Sequence, residues 1–488
     1  MNTKNIVKML GYFLFYFGLT IIIPLLWSIF DDGPGKMAFS LTMIFTVSLG
    51  WVLKIFVNAD EEDISLKDGF AIVTFSWILA ATIGAAPYLI VGVFESFVDA
   101  FFEAMSGFST TGATLIDDIE SLPKDILLWR SMTQWLGGMG IVVLFVALFP
   151  RLGVKGMQLL KAEVPGPVTE KIVPRVAKTA KVLWIIYVVI SIIQVFSLML
   201  VEVDFYTALN HAFTTMPTGG FSTFNDSISG FNSIYVEMII LVFMVIAGAN
   251  FALYYSLVKG NIKTVTKNEE LRFYLGGIIV FTLLIATHLY FNGTVESYLL
   301  SLRQASFQVV SIITTTGYAT ENFELWTPFA RQLLFFLMFF GGSGGSTGGS
   351  IKQIRILTII KQGVRELYRL IHPNAVIPVK LNGRAIKEPV ISSIVGYVVL
   401  YMCIFLLSSL LVSLSGLDMI SSFSAVAATL GNVGPGLGAV GPIENYDFFS
   451  GPIKILLSFL MLIGRLEVYT VAVMVLPEFR QFKSRKLI

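Results

Sequence analysis

The apolar runs of this chain are too long for a water-soluble fold. Stretches able to cross about 30 Å of hydrocarbon as a helix recur near residues 9–30, 37–57, 69–94, 128–149, 182–201, 234–258, 273–292, 329–358, 390–415 and 452–476. Lipid cannot satisfy backbone polar groups, so each span must satisfy its own. The fold class is therefore an all-α polytopic membrane protein. Composition agrees, with 55% of the 488 residues hydrophobic and 14% charged, against roughly 25% charged in soluble domains. The basic start MNTKNIVKML leads into an apolar run too long for the core of a signal peptide. No small-residue cleavage site follows, so it reads as a retained helix.

Between some spans lie shorter apolar pieces, VDAFFEAMSGF, FYTALNHAFTTM, YLLSLRQASFQVVSII and MISSFSAVAATL. Each runs at once into a Thr- or Gly-rich segment: STTGAT at 109–114, PTGGFST at 217–223, TTTGYAT at 314–320 and GNVGPG at 431–436. Taking Gly112, Gly219, Gly317 and Gly434 as the key glycines gives spacings of 107, 98 and 117 residues. The unit is span, short piece, Thr/Gly segment, span, and four copies of it form an architecture. This predicts an N-terminal helix pair at 1–60 and four pseudo-symmetric units at 61–155, 156–262, 263–362 and 363–488.

Charge orients these units. Seven Lys/Arg lie in 151–181, four in 259–272, eight in 352–387 and four in 480–486, whereas 201–258 holds none. Acidic residues Glu95, Asp99, Glu103, Asp117, Asp118, Glu120 and Asp125 surround the first short piece. The positive-inside bias then predicts that both termini and the basic linkers are cytoplasmic and that the Thr/Gly segments approach the outer face.

Non-helical backbone at membrane depth must be buried or line an aqueous cavity. One copy of such a segment is equally well read as the packed end of a re-entrant helix. Four copies favour an ion filter, in which glycine permits unusual dihedrals and rings of carbonyls replace the water around a cation. A half-helix before each segment would aim its negative C-terminal end at that cation.

With these motifs in place, the chain resembles the Trk/Ktr/HKT superfamily of potassium transporters over essentially its whole length. The extra N-terminal pair makes it look like the bacterial Trk membrane subunits of the TrkH/TrkG type and unlike the shorter KtrB. The resemblance implies four M1–P–M2 units around one pore. It places the potassium-binding filter on Thr110, Thr111 and Gly112; Pro217, Thr218 and Gly219; Thr315, Thr316 and Gly317; and Asn432, Val433 and Gly434. Gly317-Tyr318 retains a GY pair. The fourth unit lacks threonines, so a carbonyl ring at the glycine level is expected and a fourfold hydroxyl ring is not.

GGSGGSTGGS at 341–350 interrupts a span. A flexible linker is one reading, but its flanks favour a broken helix over a cavity, and it lacks the phosphate-loop GxxxxGK[ST] pattern. The resemblance implies an intramembrane gate loop carrying Gly341, Gly342, Gly344, Gly345, Gly348 and Gly349. Arg465 sits within the last span, where a charge is costly on the order of 3 kcal/mol. Pairing with a carboxylate or snorkelling would explain it. The resemblance places it beside the gate, where it would repel cations.

Other classes fit less well. Three scattered histidines and one cysteine, Cys403, supply no nucleophile–base pair, metal-ligand set or disulfide, so enzyme chemistry is not expected. A net charge of +2 gives no reason to expect nucleic acid. The resemblance implies K⁺ as transported ion, no cofactor on this chain, a bacterial cytoplasmic-membrane location and a homodimer. It also implies a cytosolic nucleotide-binding partner of the TrkA type, reached through basic linkers that also suit anionic lipid. The alternatives are the potassium-binding subunit of a Kdp-type ATPase and a cation symporter.

Overall fold

The structure, a computed structural model, describes residues 2–57, 65–138, 140 and 176–477. The basic segment 151–175, the tail from 478, the end of the span near 149 and the unit boundaries near 60 and 155 lie outside the described residues. Among the described residues, six helices are long and apolar enough to cross a membrane: Thr3–Phe30, Lys36–Phe56, Lys67–Val91, Ala180–Met199, Glu269–Phe291 and Glu388–Ser413. The first two form a hairpin whose helices approach closely through glycine. A methyl group on Gly50 would lie 2.3 Å from the Phe15 amide nitrogen, a small-residue crossing of the kind that holds helices together in lipid.

The remaining four long helices each precede one of four short helices, Phe97–Phe108, Phe205–Thr215, Tyr298–Ile313 and Met419–Leu430, and pack against it. Three short helices start at side-chain caps. Ser96 accepts the Val98 N–H at 3.1 Å, Asp204 the Thr207 N–H at 3.1 Å and Asp418 the Ile420 N–H at 3.2 Å.

The second helices depart from the sequence expectation. Only 329–358 was expected to be interrupted, and it is, between Pro328–Leu337 and Gln353–Ile371. The expected continuous spans at 234–258 and 452–476 are also broken. Ile234–Gly248 bends by 95° into Phe251–Val258, and Gly451–Arg465 bends by 117° into Tyr469–Val475. At the first break the Asn250 side chain accepts the Ala252 N–H at 2.9 Å and starts a new helix. At the second, Glu467 and Val468 adopt φ of 54° and 50°, a left-handed pair that a right-handed helix cannot pass through. Hydropathy is continuous across both breaks and does not reveal them.

Two members of the acidic stretch around the first short helix are not surface charges. Asp125 is buried, accepting the Ser28 hydroxyl at 2.6 Å and the Gly35 N–H at 2.8 Å, and so ties the N-terminal hairpin to the first unit. Glu103 is fully buried and belongs to the site below.

Candidate ion pathway

The four short helices end in one hydrogen-bond pattern. The N–H groups of Thr110, Thr218, Thr315 and Asn432 reach back three residues, to the carbonyls of Gly107, Thr215, Ile312 and Thr429, at 2.9–3.3 Å. The N–H groups of Thr111, Gly219, Thr316 and Val433 reach back five, to Ser106, Thr214, Ser311 and Ala428, at 2.8–2.9 Å. This is the Schellman pattern, which requires a left-handed residue after the cap. Thr110, Thr218, Thr315 and Asn432 supply it with φ of 55°, 58°, 60° and 52°. Threonine resists that region. Its recurrence at matched positions shows a conformation imposed by the surroundings. Two residues on, Gly112, Gly220, Gly317 and Gly434 return to positive φ, at 84°, 78°, 81° and 100°. Alternating hands along the chain turn successive N–H groups to one side and carbonyls to the other.

The segments then close on one another. A methyl group built on Gly112 would lie 2.2 Å from the Gly219 carbonyl oxygen, and one on Gly220 would lie 1.9 Å from that of Thr316. On Gly317 it would lie 2.0 Å from the Val433 oxygen, and on Gly434 2.6 Å from that of Thr111. The contacts run from unit one to two, three, four and back to one, so four carbonyls and four glycines surround a common axis. A cavity of about 110 Å³ opens over them, lined by all four glycines together with Asp117 and Glu444.

This geometry shifts one assignment. The sequence reading took Gly219 as the second unit's key glycine, but Gly220 has the positive φ and the neighbour's carbonyl against it. Gly219 instead matches Thr111, Thr316 and Val433, so the trio is Thr218, Gly219 and Gly220, not Pro217, Thr218 and Gly219. Two adjacent glycines leave the register open to sequence alone.

Each segment is braced from outside the ring, mostly by residues the sequence did not single out. Thr111 hydrogen-bonds Ser109, and Thr316 bonds Thr314, hydroxyl to hydroxyl at 2.7 Å. Gly219 has no side chain to do this. Gln134 fills its space, donating to the Gly219 carbonyl at 2.7 Å and accepting the Phe221 N–H at 3.2 Å. The Tyr446 hydroxyl donates to the Gly434 carbonyl at 2.8 Å, and Tyr318 hydrogen-bonds Thr214 at 2.5 Å. Asn432 donates to the Thr111 hydroxyl and the Met461 carbonyl, both at 2.9 Å. Arg130 and Glu103 form a buried ion pair at 2.8 Å. Glu103 also accepts the Leu115 N–H at 3.0 Å, and Arg130 donates to the Ser222 carbonyl at 3.1 Å, linking the first two segments. A sequence signal for this pair exists: an acidic residue midway along an apolar short helix, with an arginine in the next span.

Beneath the ring lies the 341–350 loop, mostly buried and anchored throughout, which excludes a free linker. Gln353 pins its base, its N–H donating to the Gly342 carbonyl at 3.1 Å and its side chain to that of Gly341 at 2.8 Å. The Ser343 N–H donates to the Gly248 carbonyl at 2.8 Å, and the Gly345 carbonyl accepts the Phe251 N–H at 3.1 Å, so the loop fills the break in the second unit. The Gly344 N–H donates to Glu270. The Thr347 hydroxyl donates to the Met216 carbonyl at 3.0 Å, and the Gly349 N–H to the Thr315 hydroxyl at 2.7 Å. Methyl groups on Gly348 and Gly349 would lie 2.9 Å from the Thr314 and 2.4 Å from the Gly431 carbonyl oxygens. Arg465 reaches the same place, donating to the carbonyls of Thr347 at 2.7 Å and of Gly137 and Gly138 at 2.6 Å. Lys352, also not foreseen, donates to the Gly348 carbonyl.

Known proteins show the same arrangement along their full length. The family model for TrkH, described as cation transport protein, matches residues 35–485. The chain belongs to the TrkH family. The Trk system potassium uptake protein TrkH of Escherichia coli (strain K12) is 40% identical over 486 residues, 98% of this chain and 99% of that protein. The TrkG protein of the same strain, also named a Trk system potassium uptake protein, is 33% identical, with 97% and 98% covered. The crystal structure of the potassium transporter TrkH from Vibrio parahaemolyticus superposes with a TM-score of 0.89 at 35% identity, covering 99% of this chain and 100% of that one. The fold of this TrkH-family chain is thus an integral-membrane, all-helical one.

Proposed function

We propose that this chain is the potassium-conducting subunit of a Trk-type uptake system in the bacterial cytoplasmic membrane. The observation that carries the reading is the closed cycle of glycine-to-carbonyl contacts through Gly112, Gly220, Gly317 and Gly434. Four inward carbonyl levels from four equivalent segments suit a dehydrated monovalent cation and little else. The filter comprises Thr110, Thr111, Gly112, Thr218, Gly219, Gly220, Thr315, Thr316, Gly317, Asn432, Val433 and Gly434, one segment from each of the units 61–155, 156–262, 263–362 and 363–488. K⁺ is the cargo, and the pore performs no covalent chemistry. The loop 341–350 with Arg465 is the gate. Full-length similarity to potassium uptake proteins of the Trk system favours this reading over a Kdp-type subunit. By the same similarity, the chain works as a homodimer with a cytosolic nucleotide-binding partner of the TrkA type.

Ion flux into proteoliposomes tests the filter. Gly317→Ser and Gly434→Ser should each lower the K⁺/Na⁺ ratio or abolish flux. Wild-type flux and ratio in both would refute the assignment. Single cysteines at Asp226 and Val376, both exposed, in a chain whose Cys403 is replaced, test the orientation. They should label from opposite sides, Asp226 from outside.

A further inference from the structure

We infer that Lys352 is an ion-competitive latch, its ammonium holding the Gly348 carbonyl that would otherwise receive a cation leaving the inner end of the filter. The inference rests on the filter-and-gate reading above. Three successive loop residues meet the inner ring. The Thr347 carbonyl is held by Arg465 at 2.7 Å, the Gly348 carbonyl by Lys352, and the Gly349 N–H donates to Thr315, a member of that ring, at 2.7 Å. Gly348 itself lies against the Thr314 carbonyl, where the third short helix ends. Two adjacent carbonyl oxygens below the filter are therefore both occupied by fixed cations.

A potassium ion and an ammonium group ask the same thing of a carbonyl, an oxygen lone pair for one positive charge. They cannot share the Gly348 oxygen, and at that distance they repel. The two fixed cations differ in kind. Arg465 is a planar fork that spans the loop and the Gly137–Gly138 backbone of another unit, whereas Lys352 is a point charge on a flexible stem. Glu270 and Glu467 both act on Lys352 electrostatically and offer the ammonium somewhere to go. An ion entering the inner ring thus favours the arrangement with Lys352 withdrawn and the loop released, a shift equal to its preference for that arrangement.

The test uses the full-length protein in proteoliposomes without its partner. Lys352→Gln should raise resting K⁺ flux by on the order of tenfold, the factor commanded by one charge-assisted hydrogen bond. It should also flatten the dependence of flux on K⁺ concentration and leave the K⁺/Na⁺ ratio unchanged. Lys352→Arg, which keeps the charge, should stay near wild type. A second readout leaves the latch intact: a single cysteine at Ser346, with Cys403 replaced, should react with a thiol reagent faster in K⁺ than in N-methylglucamine. Raised flux in a loop-shortened chain but not in Lys352→Gln, or cysteine reactivity indifferent to K⁺, overturns the latch alone. A loop-shortened chain that stays closed overturns the gate reading and the latch with it.

Discussion

The four segments that form the ring agree in φ to within 52–60° at the left-handed position and share the same pair of capping bonds. The four helices that follow them share nothing so regular. One is described as far as Gly138, one bends by 95° at Asn250, one is opened by the ten-residue loop, and one bends by 117° after Arg465. The contrast follows from what each level handles. A spherical ion is held best by equal ligands from all sides, which penalises any unit that deviates. A gate needs one moving element and fixed surroundings for it to close against. Below the ring three units hold still while the third carries the loop, and divergence of sequence there costs nothing in ion selection.

The largest effect should come from breaking the ring's symmetry at its least obvious member. Gly220→Ala forces a left-handed alanine against the Thr316 backbone oxygen, 1.9 Å from the new methyl, which nothing flexible can relieve. Gly219→Ala meets only the end of Gln134, and that side chain can turn away. Flux should fall at least about a hundredfold in the first and less than about tenfold in the second, given that the coordinating carbonyls must keep their positions. Equal losses in both would return the register to Gly219.

That pair of glycines also marks where the sequence stops being informative. The helical membrane class, the four-unit order and three of the four filter registers follow from run length and motif spacing, because both are local properties of the chain. Choosing Gly220 over Gly219 requires the neighbouring unit's carbonyl, about a hundred residues away. The breaks at Asn250 and Glu467 leave no mark in hydropathy, since both sides of each are equally apolar. Glu103 and Arg130 read as two charges of opposite sign in an outer region, and only the packing of one helix on the next makes them a buried pair. Arg465 stood out by being charged in an apolar span. Lys352, just past a polar loop and before a basic helix, did not.

The next effect is on stability. Arg130→Met leaves Glu103, fully buried, without its cation, a loss of about 3–5 kcal/mol for a buried pair broken on one side. The midpoint of thermal unfolding in detergent should drop sharply. Adding Glu103→Leu should recover part of it, because the double variant no longer buries a lone charge. A double variant no more stable than the single would mean that Glu103 matters mainly through its bonds to Leu115 and Thr114.

Below the ring the expected change is in the opposite direction. Arg465→Ala removes the donor to Thr347, Gly137 and Gly138, and shortening 341–350 removes the obstruction itself. Either should raise resting K⁺ flux by roughly five- to tenfold, the worth of one or two hydrogen bonds to a charged group. The dependence on a cytosolic partner should weaken, and the ion ratio should hold because the ring is untouched. Flux at the closed level in both variants, with normal membrane insertion, would leave the loop a packing element.

The smallest effect tests whether the ring's remaining asymmetry is functional. Asn432 stands where the other three segments have threonine, and its Oδ1 is buried with no hydrogen-bond partner among the described residues, as is the Thr110 hydroxyl oxygen. Asn432→Thr would complete a ring of four hydroxyls at the inner level. It would also release the Thr111 hydroxyl and the Met461 carbonyl, which the Asn432 amide now holds at 2.9 Å. One hydrogen bond gained at the ion and one lost behind it nearly cancel, each worth about 1 kcal/mol. Stability and maximal flux should therefore stay close to wild type. The K⁺/Na⁺ ratio should rise by no more than about fivefold, the equivalent of that 1 kcal/mol, because the added oxygen sits at the distance set for the larger ion by the other three. A ratio that stays the same would show that the inner side chains are spectators and that the carbonyls of Thr111, Gly219, Thr316 and Val433 alone discriminate. A ratio that falls would show that the Asn432 brace on Thr111 matters more to the ring than a fourth hydroxyl in it.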